Sequence, residues 1–219
     1  MSDNKNPFKE IWVNKFDEEA ALKFREQIVK ATDDAPTDEY PIVVYIDSYG
    51  GYVYGCVSML DTIDSVPNPI VTVCVGKAMS AGAILLSHGD LRLCAPNCTV
   101  MVHEMSSCTH GHIDDILSDA AYDKKLNRRI MTILARNCGI KGGYKGLRRR
   151  FKDRDGGREW YMFPDEALEF GIIDAIGLPL IEPQMGFIIR TAVDKPRNQL
   201  MRLPTPEEVK KSRKRKGRK

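Results

Sequence analysis

No run of apolar residues in the sequence approaches the roughly 18 needed to span a bilayer. The opening stretch, MSDNKNPFKEIWVNKFDEE, lacks the basic start and apolar core of a secretory signal. The expectation is a chain with no membrane segment that stays in the cytoplasm. Cysteine is sparse. Cys56, Cys74, Cys94, Cys98, Cys108 and Cys138 are scattered without the dense spacing of a disulfide scaffold, so reduced, buried thiols are expected. The Cys94 to Cys98 spacing opens like a metal knuckle, but the sequence offers no second Cys/His pair to complete four ligands, and zinc is not expected. The glycine-rich turns lack the Gly-Lys-Ser/Thr ending of a phosphate loop. No metal or organic cofactor is implied. Acid is absent from the last ten residues, which carry eight Lys or Arg; removing those charges takes the formal net charge from +3 to −5. The body of the chain therefore has no general nucleic-acid footprint, and contact with nucleic acid is expected only through that basic tail.

What is present is an ordinary globular composition of 42% apolar and 29% charged residues over 219 positions, enough for one domain with a real core. The pattern alternates strands with helices. A short strand near Glu10–Asn14 precedes a helix over 17–31, in which Ala20/Ala21, Phe24 and Ile28 fall at helical spacing behind acids in the first turn. Residues 41–46 (PIVVYI) and 70–75 form short apolar runs suited to strands covered on both faces. A helix over 53–65 lies between them, and a small-residue helix follows Ser80. Leu91–Cys94 and Val100–His103 suggest a further strand pair. From Ile113 to Asn137 an apolar stripe runs beside abundant charge, predicting one long helix stopped near Gly139. Residues 141–158 are glycine-rich and charged and suggest a loop. A short helix over 165–170, a strand over 172–176 and an apolar segment over 179–189 follow. The expected division is a domain over 1–190 and a polar, basic, disordered tail over 191–219. This is an α/β chain, and such sheets place their sites at the carboxyl ends of strands, where both glycine-rich turns fall.

Ser80 sits at a strand-to-helix turn among Gly76, Ala78, Ala81, Gly82 and Ala83. Small neighbours there admit a substrate backbone, and a helix amino terminus favours developing negative charge. A small residue chosen for close helix packing is the competing reading. His103 ends the apolar strand Val100-Met101-Val102 and suits a base at a sheet edge, or a hydrogen-bonded strand-end histidine. Gly51, in the turn Asp47-Ser48-Tyr49-Gly50-Gly51, can present a backbone N–H, which with the N–H of Ala81 makes a two-donor oxyanion hole. A tight turn alone is the simpler account of that segment.

Taken together, Tyr45-Ile46-Asp47-Ser48-Tyr49-Gly50-Gly51, Gly76-Lys77-Ala78-Met79-Ser80-Ala81-Gly82-Ala83, Pro96-Asn97-Cys98-Thr99-Val100-Met101-Val102-His103 and Tyr161-Met162-Phe163-Pro164-Asp165-Glu166-Ala167-Leu168 resemble the ClpP family, the proteolytic subunits of the ATP-dependent Clp protease. The resemblance implies an α/β superhelix of ββα units with the long helix as a protruding handle. It also implies a serine endopeptidase with Ser80 as nucleophile, His103 as base, and Gly51 and Ala81 as oxyanion donors. Where the family has its catalytic aspartate this chain has Glu159, the choice for the third member, with Asp155 and Asp153 as alternatives. Tyr49 stands where proline is usual. The implied partners are further copies, in heptameric rings stacked into a tetradecamer, an AAA+ unfoldase and polypeptide substrates. The amino terminus looks short for the family's pore hairpin, which weakens the expectation of ATPase docking. With the basic tail, it suggests a divergent viral or phage member working in a host cytoplasm. A crotonase-type thioester enzyme and a catalytically silent ring subunit or scaffold are the rival readings.

Overall fold

The computed structural model describes residues 10–153, 158–182 and 186–191. β1 (Glu10–Val13) alternates exposed and buried side chains, as an edge strand does. It pairs in parallel with β2 (Ile42–Ser48), which is buried along almost its whole length, as strands covered on both faces are. Between them runs α1 (Glu18–Asp33). Asp17 caps it by accepting from the Ala20 N–H at 2.7 Å, and Ala21, Phe24, Ile28 and Ala31 form its buried stripe. α2 (Val53–Ser65) packs on α1 and leads to β3 (Ile70–Met79), parallel to β2.

β3 organises the sheet. The expected strand stopped at Val75, whereas the observed one continues to Met79 because it changes partner midway. Val71–Cys74 pair with Leu91–Cys94 of β4 (Leu91–Cys94), and Lys77–Met79 pair with Thr99–Met101 of β5 (Thr99–His103). Its second half has little intrinsic strand preference, and the ladder with β5 holds it extended. β4 and β5 are thus not partners of each other, as the sequence suggested; both lie parallel to β3. α3 (Ala81–Leu86), every residue of it buried, follows β3 immediately.

α4 (Ile113–Asn137) has the expected bounds, and its burial is confined to Ile130, Met131, Leu134 and Ala135 near the carboxyl end. Ile113, Leu117 and Tyr122 on the preceding turns are more than half exposed. The Tyr122 hydroxyl lies 2.6 Å from that of Tyr54 on α2. The expected loop after α4 is instead largely α5 (Gly143–Lys152). Its glycines argue against a helix, but burial of Leu147 and the stacking of Arg128 and Arg148 over Tyr144, at 5.9 and 5.8 Å, hold it down.

β6 (Glu159–Met162) runs antiparallel to β5 and leads into α6 (Pro164–Phe170). Ile172 and Ile173, expected in a strand, are core residues ahead of β7 (Ala175–Glu182), which lies parallel to β4 and antiparallel to β8 (Gly186–Thr191). Arg92 ties this region together. Its guanidinium pairs with the Asp174 carboxylate and donates to the Asn137 and Gly171 carbonyls at 3.1 and 2.8 Å. Among the described residues no helix is long and apolar enough to cross a membrane. The basic tail beyond Thr191 lies outside the described residues.

Candidate active site

β3 and β5, side by side and parallel, carry Ser80 and His103 out at the same carboxyl edge of the sheet. Ser80 is the residue between strand and helix, with φ 53° and ψ −118°, and among the described residues it alone combines a side chain with positive φ. Such a conformation costs on the order of 1–3 kcal/mol and persists only where the surroundings impose it. Here the Ser80 N–H donates to the Met101 carbonyl at 2.8 Å, while its own carbonyl accepts from Ala83 and Ile84 in α3. The turn thereby projects the hydroxyl clear of the sheet, and Ser80 Oγ lies 2.7 Å from His103 Nε2.

The Gly50-Gly51 turn closes over this point. Ser48 fixes it from below: its Oγ donates to the Asn14 carbonyl at 2.8 Å and accepts from the Gly50 N–H at 3.1 Å. Gly51 forms a parallel bridge with Phe16, closed by the Tyr52 N–H on the Phe16 carbonyl at 2.7 Å. Gly50 has φ +102° and lies so close to the nucleophile that a Cβ there would sit 2.8 Å from Ser80 Cβ and 3.1 Å from the Ala81 nitrogen. Ala81 opens α3, where the first N–H groups of a helix lack an intrahelical acceptor. A cavity of about 80 Å³ lies between these groups, bounded by Gly51, Ser80, Ala81 and His103 and walled by Val53, Ile84, Ile130 and Met131.

Glu159 stands directly opposite His103 in the antiparallel pairing of β5 with β6, so the two side chains leave the same face of the sheet. Both line a second cavity of about 830 Å³, whose rim also carries Arg148, Lys152 and Arg158. The Tyr161 hydroxyl donates to Glu159 Oε2 at 2.7 Å, and this bond, with a smaller contribution from desolvation, holds the Tyr161 pKa above its ordinary value. Asp153 is exposed at the carboxyl cap of α5, its N–H on the Arg149 carbonyl, and does not line the cavity that His103 and Glu159 share. Asp155 lies outside the described residues.

Of the residues singled out in the sequence, Ser80, His103, Gly51 and Ala81 thus border one small cavity, and Glu159 joins His103 from the neighbouring strand. Sequence reasoning missed Ser48, Met101 and the apolar wall. Ser48 had a signal, a short hydroxyl two residues before a glycine in a turn. Ile130 and Met131 had none, since their apolar spacing on α4 serves the core equally well.

The curated proteins similar to the chain include two Clp protease subunits. An ATP-dependent Clp protease proteolytic subunit of Deinococcus radiodurans is 33% identical over 145 residues, 65% of this chain and 68% of that protein. The ATP-dependent Clp protease proteolytic subunit 1 of Salinibacter ruber is 36% identical over 138 residues, covering 62% of this chain and just over half, 56%, of that protein. The family model described as Clp protease matches residues 11–179, a span from β1 into β7 that includes every candidate residue above. With that match over most of its length, the chain belongs to the Clp protease family.

Proposed function

We propose that the chain is a serine endopeptidase subunit in which Ser80 is the nucleophile, His103 the general base and Glu159 the residue that orients the imidazole. The observation that carries this reading is the 2.7 Å approach of Ser80 Oγ to His103 Nε2 from a strained strand-to-helix turn. With its ring proton on Nδ1, His103 accepts the Ser80 proton at Nε2 as Oγ attacks the peptide carbonyl carbon. The carbonyl oxygen takes the negative charge and is met by the N–H groups of Gly51 and Ala81, each worth on the order of 10²–10³ in rate. His103 then returns the proton to the departing amine as the C–N bond breaks. Water, deprotonated by the same imidazole, attacks the acyl ester and frees Ser80. Glu159 stabilises the imidazolium in both halves without itself taking the proton.

The substrate is an extended polypeptide segment whose residue before the cut enters the 80 Å³ apolar cavity, which suits small or medium apolar side chains. The subunit works in a homo-oligomeric ring, seven copies to a ring and two rings stacked through the exposed turns of α4, fed by an AAA+ unfoldase in the cytoplasm. The peptidase domain spans residues 1–190, and the basic segment over 191–219 plays no part in the cleavage chemistry. A chain ended at Thr191 should keep peptidase activity and lose any salt-sensitive binding to nucleic acid or an acidic partner.

The test is labelling by a fluorophosphonate probe of wild type, Ser80→Ala and Glu159→Gln, with assembly measured on the same samples. Labelling that requires Ser80 and falls steeply in Glu159→Gln is expected. A wild-type protein that assembles and never labels would make the silent ring subunit the correct reading.

A further inference from the structure

Half of the six cysteines come from separate parts of the chain to one buried point. Cys74 lies on β3, Cys94 ends β4, and Cys98 lies in the turn before β5; all three are buried, at 0%, 0% and 1% exposure. Their sulfur atoms lie within 4.8 Å of one another. Cys74 and Cys94 are register partners, and they form the last rung of the β3–β4 ladder before β3 turns to β5. The Cys98 Sγ–H points to the Cys74 carbonyl at 3.3 Å and that of Cys94 to the Ala95 carbonyl at 3.5 Å. The Ala95 N–H donates to the Cys74 carbonyl at 3.0 Å, and the Cys98 N–H to the Ala95 carbonyl at 3.2 Å, so the turn that carries Cys98 is tied to the strand that carries Cys74. Buried free thiols normally pack as small hydrophobes. Three that converge on one centre, held there by backbone bonds between their segments, present the ligand atoms of a thiolate metal site.

We propose that Cys74, Cys94 and Cys98 form a three-coordinate thiolate site for monovalent copper at the point where β3 changes partner. Metal–sulfur bonds of about 2.3 Å in a trigonal plane put the sulfurs roughly 4 Å apart, a small contraction of the observed cluster. Soft thiolate donors select Cu(I) and zinc, and zinc in structural sites takes four ligands. No fourth His, Cys, Asp or Glu joins these three among the described residues, and trigonal copper needs none. Binding releases thiol protons and ties together three segments. Ser80 lies six residues beyond Cys74 and His103 five beyond Cys98, so the ion would clamp the two strands that carry them.

The experiment uses the full chain in a Cys108→Ser background, which removes the exposed thiol near His110. Reduced protein is titrated anaerobically with Cu(I) against a competing chelator, with sulfur coordination read by X-ray absorption. The expected result is one copper per chain bound by three sulfurs, a raised Tm, and affinity at least about tenfold weaker in Cys98→Ser. Cys56→Ala, which removes a buried thiol elsewhere in the core, should bind as the parent does. Should Cys98→Ser fail to fold, Cys94→Ala and the coordination number of the parent still decide the matter. Retention of no copper by the parent, coordination by two sulfurs only, equal affinity in Cys98→Ser, or preference for Zn²⁺ over Cu(I) would each overturn the assignment.

Discussion

Replacing Gly50 by alanine adds one methyl group and should silence the site. Gly50 has φ +102°, where a side chain costs on the order of 1–3 kcal/mol. The new Cβ would also lie 2.8 Å from the Met79 carbonyl oxygen, 2.8 Å from Ser80 Cβ and 3.1 Å from the Ala81 nitrogen. Restoring ordinary contact distances requires a relative shift of roughly 0.6 Å, and neither the Met79 carbonyl nor the Ser80 backbone can rotate away as a flexible side chain would. The displaced groups are the proposed nucleophile and one oxyanion donor, and a misplacement near an ångström costs on the order of 10²-fold in rate. Gly50→Ala should therefore lose about 10- to 100-fold in kcat/KM on a peptide substrate, with a matching fall in fluorophosphonate labelling. Gly139→Ala is the control. It shares the positive φ, at +63°, but a Cβ there meets nothing within 4 Å. It should lower stability by about 1–2 kcal/mol and leave the rate unchanged. A Gly50→Ala enzyme within twofold of wild type, or a Gly139→Ala enzyme equally impaired, would refute the claim that the turn positions the chemistry.

Asp153→Asn should retain full activity on the same substrate, because Asp153 caps α5 and does not line the cavity of His103 and Glu159; a loss as deep as that of Glu159→Gln would move the third role to Asp153. Val53→Ala widens the apolar wall beside Ser80 and should shift kcat/KM toward larger side chains before the cut by about tenfold, measured on a paired Ala and Phe peptide series. Arg92→Met leaves Asp174 and two carbonyls without their shared donor and should cost about 3 kcal/mol, seen as a Tm lower by about 6–12 °C. Burial pushes the Cys56 and Cys138 thiols up to about 12 from an ordinary 9. The unfolded chain gives up these protons first as pH rises, so stability present below pH 9 is lost between 9 and 12, at about 1.4 kcal/mol per pH unit for each thiol. Cys56→Ala should flatten that alkaline slope in denaturant titrations.

The elements most legible in the sequence were those whose own residues enforce them. α2 and α4 match their expected bounds, because apolar spacing, acids at the start of α4 and a positive-φ glycine just past its end all agree locally. The errors fell where a distant segment decides. The Gly76–Met79 stretch is extended because β5 lies on one side of it and Ser48 of β2 pairs with Ala78 on the other, and residues 143–152 are helical despite their glycines because α4 supplies the surface for Leu147 and Tyr144. β4 and β5 looked like a hairpin because they are neighbours in sequence, yet each was already claimed by β3.

The site divides along the same line. Ser80, Gly50 and Gly51 could be found because a strained turn demands small residues, and that demand is written locally. His103 carries no such mark: Val100–His103 reads as any strand with a polar end, and only the parallel placement of β5 beside β3 brings its ring to Ser80. Glu159 is one step further removed, since its relation to His103 exists only in the β5–β6 register, with the whole of α4 and α5 lying between the two strands. A one-residue slip of that register would turn Glu159 to the other face of the sheet. The buried Val100–Met162 pair and the packing of partly buried Trp160 against the core beside Val102 in the same ladder are therefore what hold the carboxylate on the side of the imidazole. The proposed third member of the triad is thus placed by core packing as much as by the acid itself.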